Sequence, residues 1–443
     1  MEKKLLIILL IINAFSLNAQ QTFSIQGAVD YALKNHANIK NSQVDMRDAE
    51  LQIKEIKVTG LPQINGQFQY TYNAIVPTQL LDAKNFDPTA AEGDVVKFKF
   101  GVPWAGQAGV GLNQLIFDAT WLVGLRAADT YRKLASQNYE QTKITTAEGV
   151  IKAYYSVLVA EERSKLLDLN ITRLDSIILE TKEFFKQGFV EKIDIDRLEV
   201  QKNNAITEKQ KVVNLIALSY QLLKFQMGFS QKGDILLSDK LTTSDIRGLQ
   251  ALPYRAVDYD NRVEYTTLQT QRKLTELNIE RYQKAYYPTV GFAGSLGIGH
   301  SNPKFNPFER WFPSSALSLN VNIPIYDSGM KKTQIERQRL SLIKIDQSAE
   351  MLRESFELQN DQAMINLKNG LQSLDIQNRN MELAQEVVRV SKIKYQQGTG
   401  SNLEIINAES DLKQAQTNYF ASLYDVLIAK VDLDKAHGKL LTK

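Results

Sequence analysis

The chain of 443 residues contains no cysteine and only three histidines. Without cysteine there can be no disulfide framework and no thiolate nucleophile, and His36, His300 and His437 are too scattered for a catalytic triad or a zinc cluster. Charge of one sign is also lacking, since 53 Lys and Arg face 50 Asp and Glu, which leaves no strong basic field for nucleic acid. We therefore expect no enzymatic activity, no cofactor, no metal site and no nucleic-acid partner.

Long hydrophobic runs are missing as well. The longest extends from Leu5 to Ile12, after two lysines, and is far shorter than the roughly 20 apolar residues that a membrane helix needs. With the small residue Ala19 downstream, this pattern predicts a bacterial export signal over residues 1–19. Since cysteine is absent, no lipid anchor is expected on the mature N-terminus. The sequence thus predicts an exported protein of the periplasm or the outer membrane that has no transmembrane helix.

The chain is internally duplicated. Three segments recur in the same order, namely 49–66 with 275–292, 113–118 with 322–327, and 186–198 with 396–408. Such ordered self-similarity predicts a repeat architecture. We expect a first repeat over 20–228, an equatorial connecting segment over 229–262 and a second repeat over 263–443. Each repeat is predicted to contain a helix, a strand pair and a long helical hairpin. The first copy has an insertion at 73–105, rich in Pro, Asp, Gly and Ala, which predicts a long surface loop.

Strict alternation of polar and apolar residues predicts strands. After Pro62, the apolar residues Ile64, Phe68 and Tyr70 alternate with Asn, Gln and Thr, and similar patterns occur at 109–113, 289–298 and 317–323. Each strand has about ten residues, the length of a tilted membrane-crossing strand. Because four strands cannot close a barrel, we expect the chain to oligomerise. Four aromatic residues near the strand ends fit an interfacial girdle: Trp104, Phe308, Trp311 and Phe312.

The remaining sequence is predicted to be helical. Two runs, 120–187 and 330–397, contain no proline and almost no glycine, so each helix would be roughly 100 Å long. A heptad stripe of alternating long and small residues runs from Ile405 to Leu440, which favours close packing against a neighbouring helix. In the preceding helix the apolar stripe loses its phase near Asn360, as expected of a stutter.

The turns between the long helices share one motif. Phe185 precedes Gly188, with Asp194 six residues later, and Tyr395 precedes Gly398, with Glu404 at the same distance. Each Gly suits a helix C-cap, and each acid suits the first turn of the next helix, where the helix dipole favours negative charge. The same spacing in both copies points to a shared geometry, although duplication alone could preserve a cap.

These motifs together resemble the outer-membrane efflux proteins, the TolC family. The matching segments are Leu61-Pro62-Gln63, the LNQLIFD run at 112–118, the AYYSVL run at 153–158, Pro324-Ile325-Tyr326 with Gly329, and the two turns. The resemblance implies a mainly α-helical, internally duplicated fold. The long helices would form a periplasmic α-barrel, and four β-strands per chain would contribute to a twelve-stranded trimeric barrel in the outer membrane.

The resemblance also implies roles for particular residues. Gly188 and Gly398 would contact a periplasmic adaptor protein, Asp194 and Tyr395 would belong to the network that closes the tips, and Glu404 would line the entrance constriction. Two positions depart from the family pattern. Gly400 replaces a basic residue, and Asn407, also at the constriction, stands where well-known members have a second acid.

The leading hypothesis is a homotrimeric outer-membrane channel without catalytic activity. It would contact outer-membrane lipid and extend into the periplasm, as the exit duct of a tripartite efflux or type I secretion system with a periplasmic adaptor and an inner-membrane pump. The alternative is a soluble periplasmic coiled-coil scaffold, which predicts extraction without detergent. A glycosidase would need paired acids, and the adjacent Glu161 and Glu162 point about 100° apart on a helix.

Overall fold

A computed structural model describes residues 21–86, 88–99, 101–241 and 256–441. The elements up to residue 227 are β1 (Gln21–Phe23), α1 (Ile25–Asn35), α2 (Ala37–Val58), β2 (Gln63–Tyr72), β3 (Thr78–Asp82), β4 (Val95–Lys99), β5 (Trp104–Phe117), α3 (Ala119–Lys186) and α4 (Lys192–Met227). Those that follow are β6 (Ile235–Leu237), α5 (Val263–Lys284), β7 (Thr289–Asn302), β8 (Phe312–Asn322), α6 (Met330–Gln396) and α7 (Asn402–Ala436). The predicted export signal and part of the connecting segment, residues 242–255, lie outside the described residues.

The predicted long helices are confirmed. α3 has 68 residues and α6 has 67, so each is roughly 100 Å long at 1.5 Å per residue. Both begin after an aspartate of the repeated 113–118 and 322–327 segments. Asp118 accepts hydrogen bonds from the backbone of Thr120 and Trp121, and Asp327 accepts one from the backbone of Lys331. An aspartate at this position stabilises the start of a helix, which explains why both copies contain one.

Four strands form one antiparallel sheet in the order β2-β5-β7-β8, which leaves β2 and β8 at its edges. The strands have 10, 14, 14 and 11 residues, and none of the four contains Asp, Glu, Lys or Arg. One face is formed mostly by apolar side chains and the other by Asn, Gln, Ser, Thr and Gly. Among the described residues nothing covers the apolar face, and Phe68 is exposed by 72% and Leu317 by 79%.

Two glycines on the polar face bring the central strands close together. Gly109 of β5 pairs with Gly297 of β7. A Cβ atom added to Gly109 would lie 2.8 Å from the carbonyl oxygen of Leu296, and one added to Gly297 would lie 3.1 Å from that of Ala108. Real Cβ contacts are rarely so short, so a side chain at either position would push the two backbones apart.

The insertion at 73–105, which was predicted to be a long surface loop, contains regular structure. β3 and β4 form a two-stranded antiparallel hairpin within it, in which Leu80 pairs with Lys97. The strand residues include Val95, Val96 and Phe98, which are β-branched or aromatic and favour extended structure. β5 also begins at Trp104, earlier than the weak alternation around Val110 indicates. Glycine and alanine in this stretch interrupt the alternation of polar and apolar residues, so the sequence does not predict the start of β5.

The heptad stripe from Ile405 to Leu440 is confirmed, since nine of its eleven positions are buried and the other two, Tyr419 and Leu440, are partly exposed. The nine buried positions are Ile405, Ala408, Leu412, Ala415, Ser422, Val426, Ala429, Leu433 and Ala436. The stripe packs with residues of α3 and α6, including Val159, Leu367 and Leu374. The buried side of α6 continues through Asn360, where the apolar stripe loses its phase: Asn360 is itself fully buried, and its Oδ1 lies 3.0 Å from Nε2 of His437. The spacing of apolar residues alone does not reveal a polar residue at a core position.

The chain divides into two compact units, which are a different division from the two sequence repeats. The first unit comprises the described residues of 21–46, 134–269 and 347–441, and the second comprises those of 47–133 and 270–346. Each repeat therefore contributes to both units. The helical turns with the repeated glycine motif belong to the first unit, and the four-stranded sheet belongs to the second. In the described part of the chain, no helix is apolar over a stretch long enough to cross a bilayer.

Candidate functional site at the helical tips

Two turns form the candidate site, and we call them the first tip (residues 187–191, between α3 and α4) and the second tip (residues 397–401, between α6 and α7). Gly188 has φ of +81° and Gly398 has φ of +72°. Just after each glycine, the backbone NH of the next residue bonds back to the end of the long helix, from Phe189 to Phe184 O and from Thr399 to Lys394 O. These are glycine C-caps in the left-handed region, as the spacing predicts. A Cβ atom added at either glycine would meet nothing within 4 Å, so both tips are open.

Asp194 combines a capping role with a contact between the tips. It lies in the first turn of α4, where its Oδ2 accepts a hydrogen bond of 3.3 Å from the backbone NH of Glu191. The Glu191 side chain in turn accepts a hydrogen bond from the backbone NH of Asp194, so the two residues form a capping box. The other carboxylate oxygen, Oδ1, lies 3.2 Å from Nδ2 of Asn402, the residue that follows the second tip.

Tyr395 is a core residue of the tips. Its side chain is 5% exposed, and its ring lies edge-on to Phe184 at 5.7 Å. Its hydroxyl donates to Oγ1 of Thr181 at 3.1 Å, and Thr181 in turn donates to the backbone carbonyl of Ile177. Burial raises the pKa of Tyr395 above its ordinary value, and the nearby carboxylate of Asp194 raises it further. The hydroxyl proton of Tyr395 is directed at Thr181 and not at Asp194.

Asn402 completes the contact between the tips, and no sequence motif pointed to it. It is the first residue of α7 and is 5% exposed. Its Nδ2 donates to the backbone carbonyl of Asp194 at 2.8 Å as well as to the carboxylate. The side chain thus joins two hairpins that are 208 positions apart in sequence. An asparagine after a serine N-cap is ordinary in sequence, so only the folded chain reveals this role.

Glu404 and Asn407 are exposed on the first two turns of α7. Ser401 begins this helix, since its Oγ accepts a hydrogen bond of 3.2 Å from the backbone NH of Glu404. Residues three positions apart lie on the same side of a helix, so Glu404 and Asn407 form one exposed polar strip. The Glu404 carboxylate also lies where the helix dipole favours a negative charge. The chemistry of the strip is that of a single carboxylate beside an amide.

The turn at Gly400 is too tight for a side chain. A Cβ atom added to Gly400 would lie 2.8 Å from Cβ of Lys394 and 3.1 Å from the backbone nitrogen of Tyr395. The backbone NH of Gly400 bonds to the carbonyl of Lys394, which closes the turn tightly. In this conformation the turn has no room for a side chain at residue 400. Asp194 consequently obtains its cross-tip hydrogen bonds from a neutral amide rather than from a cation at position 400.

Comparison with known proteins agrees with this architecture. The sequence profile of the outer membrane efflux protein family matches residues 28–205 and 264–439. The outer membrane protein TolC of Salmonella enteritidis is 20% identical over 99% of this chain and 87% of its own length. The outer membrane efflux protein BepC of Brucella suis is 21% identical over 94% of this chain and 86% of its own length.

Solved structures share the fold at still lower identity. The structure of CusC has a TM-score of 0.74 at 14% identity and covers 94% of this chain and 93% of its own. The CmeC outer membrane channel of Campylobacter jejuni has a TM-score of 0.72 at 15% identity, with coverage of 94% and 85%. Since the family profile matches most of both repeats, and the fold is that of solved outer-membrane channels, this chain belongs to the outer membrane efflux protein family.

Proposed function

We propose that the chain is the outer-membrane exit duct of a tripartite efflux or type I secretion system. Three copies would assemble so that their sheets close one twelve-stranded barrel. The observation that supports this most directly is the sheet itself, which in the part of the chain that the structure describes has two unpaired edges and an uncovered apolar face. Open edges are not tolerated in hydrocarbon, and a contiguous apolar face of this kind marks a membrane or protein interface. Closure with two neighbours removes both edges and leaves the apolar face toward lipid.

The polar sheet face would then line the passage. It presents amides, hydroxyls and glycine backbone, and the four strands contain no charged residue. Water-filled barrels require a polar interior, whereas an apolar exterior suits lipid. Energy for transport would come from an inner-membrane pump. The duct itself would be passive.

The tips would be the end that faces the partners. Gly188 and Gly398 are open positions at which an adaptor could approach the backbone closely. Glu404 and Asn407 would line the entrance constriction, and Asp194 and Tyr395 would belong to the contacts that keep the tips together. Residues 1–19 would direct export and be removed.

The test is purification of the mature chain in detergent and in plain buffer, followed by mass measurement and planar-bilayer recording. We expect a trimer that requires detergent and conducts ions. A monodisperse monomer that is stable without detergent and silent in bilayers would overturn the proposal in favour of a soluble coiled-coil scaffold. Fractionation of cells provides an independent check, since the duct should be recovered with the outer membrane.

A further inference from the structure

A cavity of about 400 Å³ lies between α2, α3, α5 and α6 within the second unit. Its walls include the buried side chains of Ile53, Val123 and Leu277, which come from three different helices. On α3 the lining residues Gly124 and Ala127 are small, which leaves the space between the helices open. Pockets that hold small organic molecules have volumes of about 300 to 1,000 Å³ and mostly apolar walls. The cavity therefore has the size and the lining of a site for an apolar group.

One cation lies at this cavity. Arg281, in the last turn of α5, is exposed and contributes to the lining. Its guanidinium lies 5.1 Å from the centre of the Tyr282 ring, and among the described residues it forms no ion pair with a carboxylate. The neighbouring Glu280, by contrast, is paired with Arg126. Because a guanidinium can bind phosphate through two parallel hydrogen bonds, Arg281 places a site for a phosphate group beside an apolar cavity.

The cavity lies near the ends of the helices that adjoin the four-stranded sheet. Ile56 is seven residues before β2, and Arg281 is eight residues before β7. Between α5 and β7, Tyr286 and Tyr287 are 47% and 51% exposed, and Nζ of Lys284 lies 4.9 Å from the centre of the Tyr287 ring. Exposed tyrosines and long basic side chains are typical of a membrane–water interface. With the sheet in the outer membrane, the cavity would be level with lipid headgroups on the periplasmic side.

We propose that this cavity binds one acyl chain of an anionic phospholipid, whose phosphate is held by the Arg281 guanidinium. The inference rests on the proposed function, because a sheet in the outer membrane brings lipid to the cavity. Three observations select this occupant: apolar walls for the chain, a cation without a carboxylate partner for the phosphate, and the position beside the sheet. An acyl chain in the cavity supplies packing contacts that an empty space lacks. The bound lipid thus stabilises the junction between the helices and the sheet.

The test measures lipid binding to the purified trimer in neutral detergent by native mass spectrometry. Dioleoylphosphatidylglycerol is the anionic lipid and dioleoylphosphatidylcholine the zwitterionic one. We expect one phosphatidylglycerol molecule per chain, bound about tenfold more tightly than phosphatidylcholine, because only the anionic headgroup has a charge that the guanidinium can neutralise. Equal binding of the two lipids would overturn the inference. Inorganic phosphate should not displace the lipid, and displacement by phosphate alone would show a plain anion site instead.

Two substitutions locate the site. Arg281→Gln removes the cation and should weaken phosphatidylglycerol binding about tenfold, to the level of phosphatidylcholine. Ala127→Leu extends a side chain from α3 into the cavity and should abolish binding of both lipids. Arg47→Gln is the matched control, since it replaces an exposed arginine of α2 that does not line the cavity. Because Arg281 is exposed, Arg281→Gln should assemble normally and decides the outcome even where Ala127→Leu does not assemble. Unchanged binding in Arg281→Gln would overturn the inference.

Thermal unfolding of the same trimers gives an independent readout. A ligand that binds only the folded state raises stability, so phosphatidylglycerol should raise the unfolding midpoint of the unmodified trimer more than that of Arg281→Gln. An equal rise in both would contradict the role of Arg281.

The two proposals fail in distinguishable ways. A chain that is a stable monomer without detergent would refute the proposed function and, with it, the lipid site. A conducting trimer that binds the two lipids equally would retain the duct and refute the lipid site alone. A conducting trimer that binds neither lipid would also refute the site, and would indicate that a neighbouring copy covers the cavity.

Discussion

The guanidinium of Arg173 in α3 forms two hydrogen bonds with the carboxylate of Glu409 in α7, at 2.6 and 2.9 Å. Glu409 is almost fully buried. Asn170 extends the network, since it accepts a hydrogen bond from Arg173 and donates one to Gln416. The four side chains thus form one polar network between the first hairpin and the second. A bidentate pair of this kind fixes both the distance and the orientation of the helices. It therefore sets the register in which the two tips approach each other.

Breaking this pair should destabilise the protein. Arg173→Met leaves the buried Glu409 carboxylate without its cation, which we expect to lower the free energy of unfolding by about 3 kcal/mol. Thermal unfolding in detergent, followed by far-UV circular dichroism, measures the change. The double variant Arg173→Met with Glu409→Leu should recover most of it, because no unpaired charge then remains. Arg339→Met, which removes an exposed pair with Glu336, is the control and should leave the midpoint unchanged. A single variant as stable as the control would show that Glu409 is hydrated.

The fold could be predicted from the sequence largely because periodicity is a local property. The long helices, the alternating strands and the buried stripe of α7 each follow from the spacing of apolar residues. Features that depend on distant partners were not predictable in this way. β4 was not predicted because its residues become a recognisable strand only when paired with β3. The burial of Asn360 was not predicted because a buried polar residue needs its partner, His437, to be recognised.

The candidate site was predictable to a similar degree. Gly188 and Gly398 were found because a left-handed cap is specified by the glycine itself and by its neighbours. Asn402 and Thr181 were not found, since both act through contacts between segments more than 200 positions apart. Nor could the sequence show that the turn at Gly400 excludes a side chain, because that depends on the approach of Lys394.

The glycines of the central strands provide a test of sheet geometry. Gly109→Ala would place a Cβ atom 2.8 Å from the Leu296 carbonyl oxygen, so the strands must shift apart. We expect a clear loss of folded trimer, measured as the fraction that resists unfolding by detergent at room temperature. Gly299→Ala is the control. Gly299 lies in β7 on the same face of the sheet as Gly109, and a Cβ atom added there would meet nothing within 4 Å. Equal yields from both variants would show that the sheet relaxes at Gly109 without cost.

The carboxylate of Glu404 should confer cation preference on the channel. Three copies around a narrow, low-dielectric entrance would attract cations and repel anions. Glu404→Gln is expected to move the reversal potential under a salt gradient toward that of a non-selective pore. Asn407→Asp adds a second carboxylate to the same exposed strip and should move it in the opposite direction. Glu386→Gln on α6 is the control for charge elsewhere on the helices, and an unchanged reversal potential in Glu404→Gln would remove that residue from the constriction.

Substitution at the second tip separates a capping role from recruitment of a partner. A residue with a side chain at φ of +72° costs roughly 1 kcal/mol, which the packed hairpins should tolerate. Gly398→Trp meets no neighbouring atom at Cβ, so its ring would project from the tip into the region where an adaptor must approach. We expect normal trimer yield and outer-membrane location together with loss of adaptor cross-linking and of export. Gly93→Trp is a matched control, since Gly93 also has positive φ and open space but lies in the β3–β4 hairpin. Loss of the trimer in Gly398→Trp alone would indicate that the glycine serves only the cap, whereas normal export would show that the adaptor binds elsewhere on the chain.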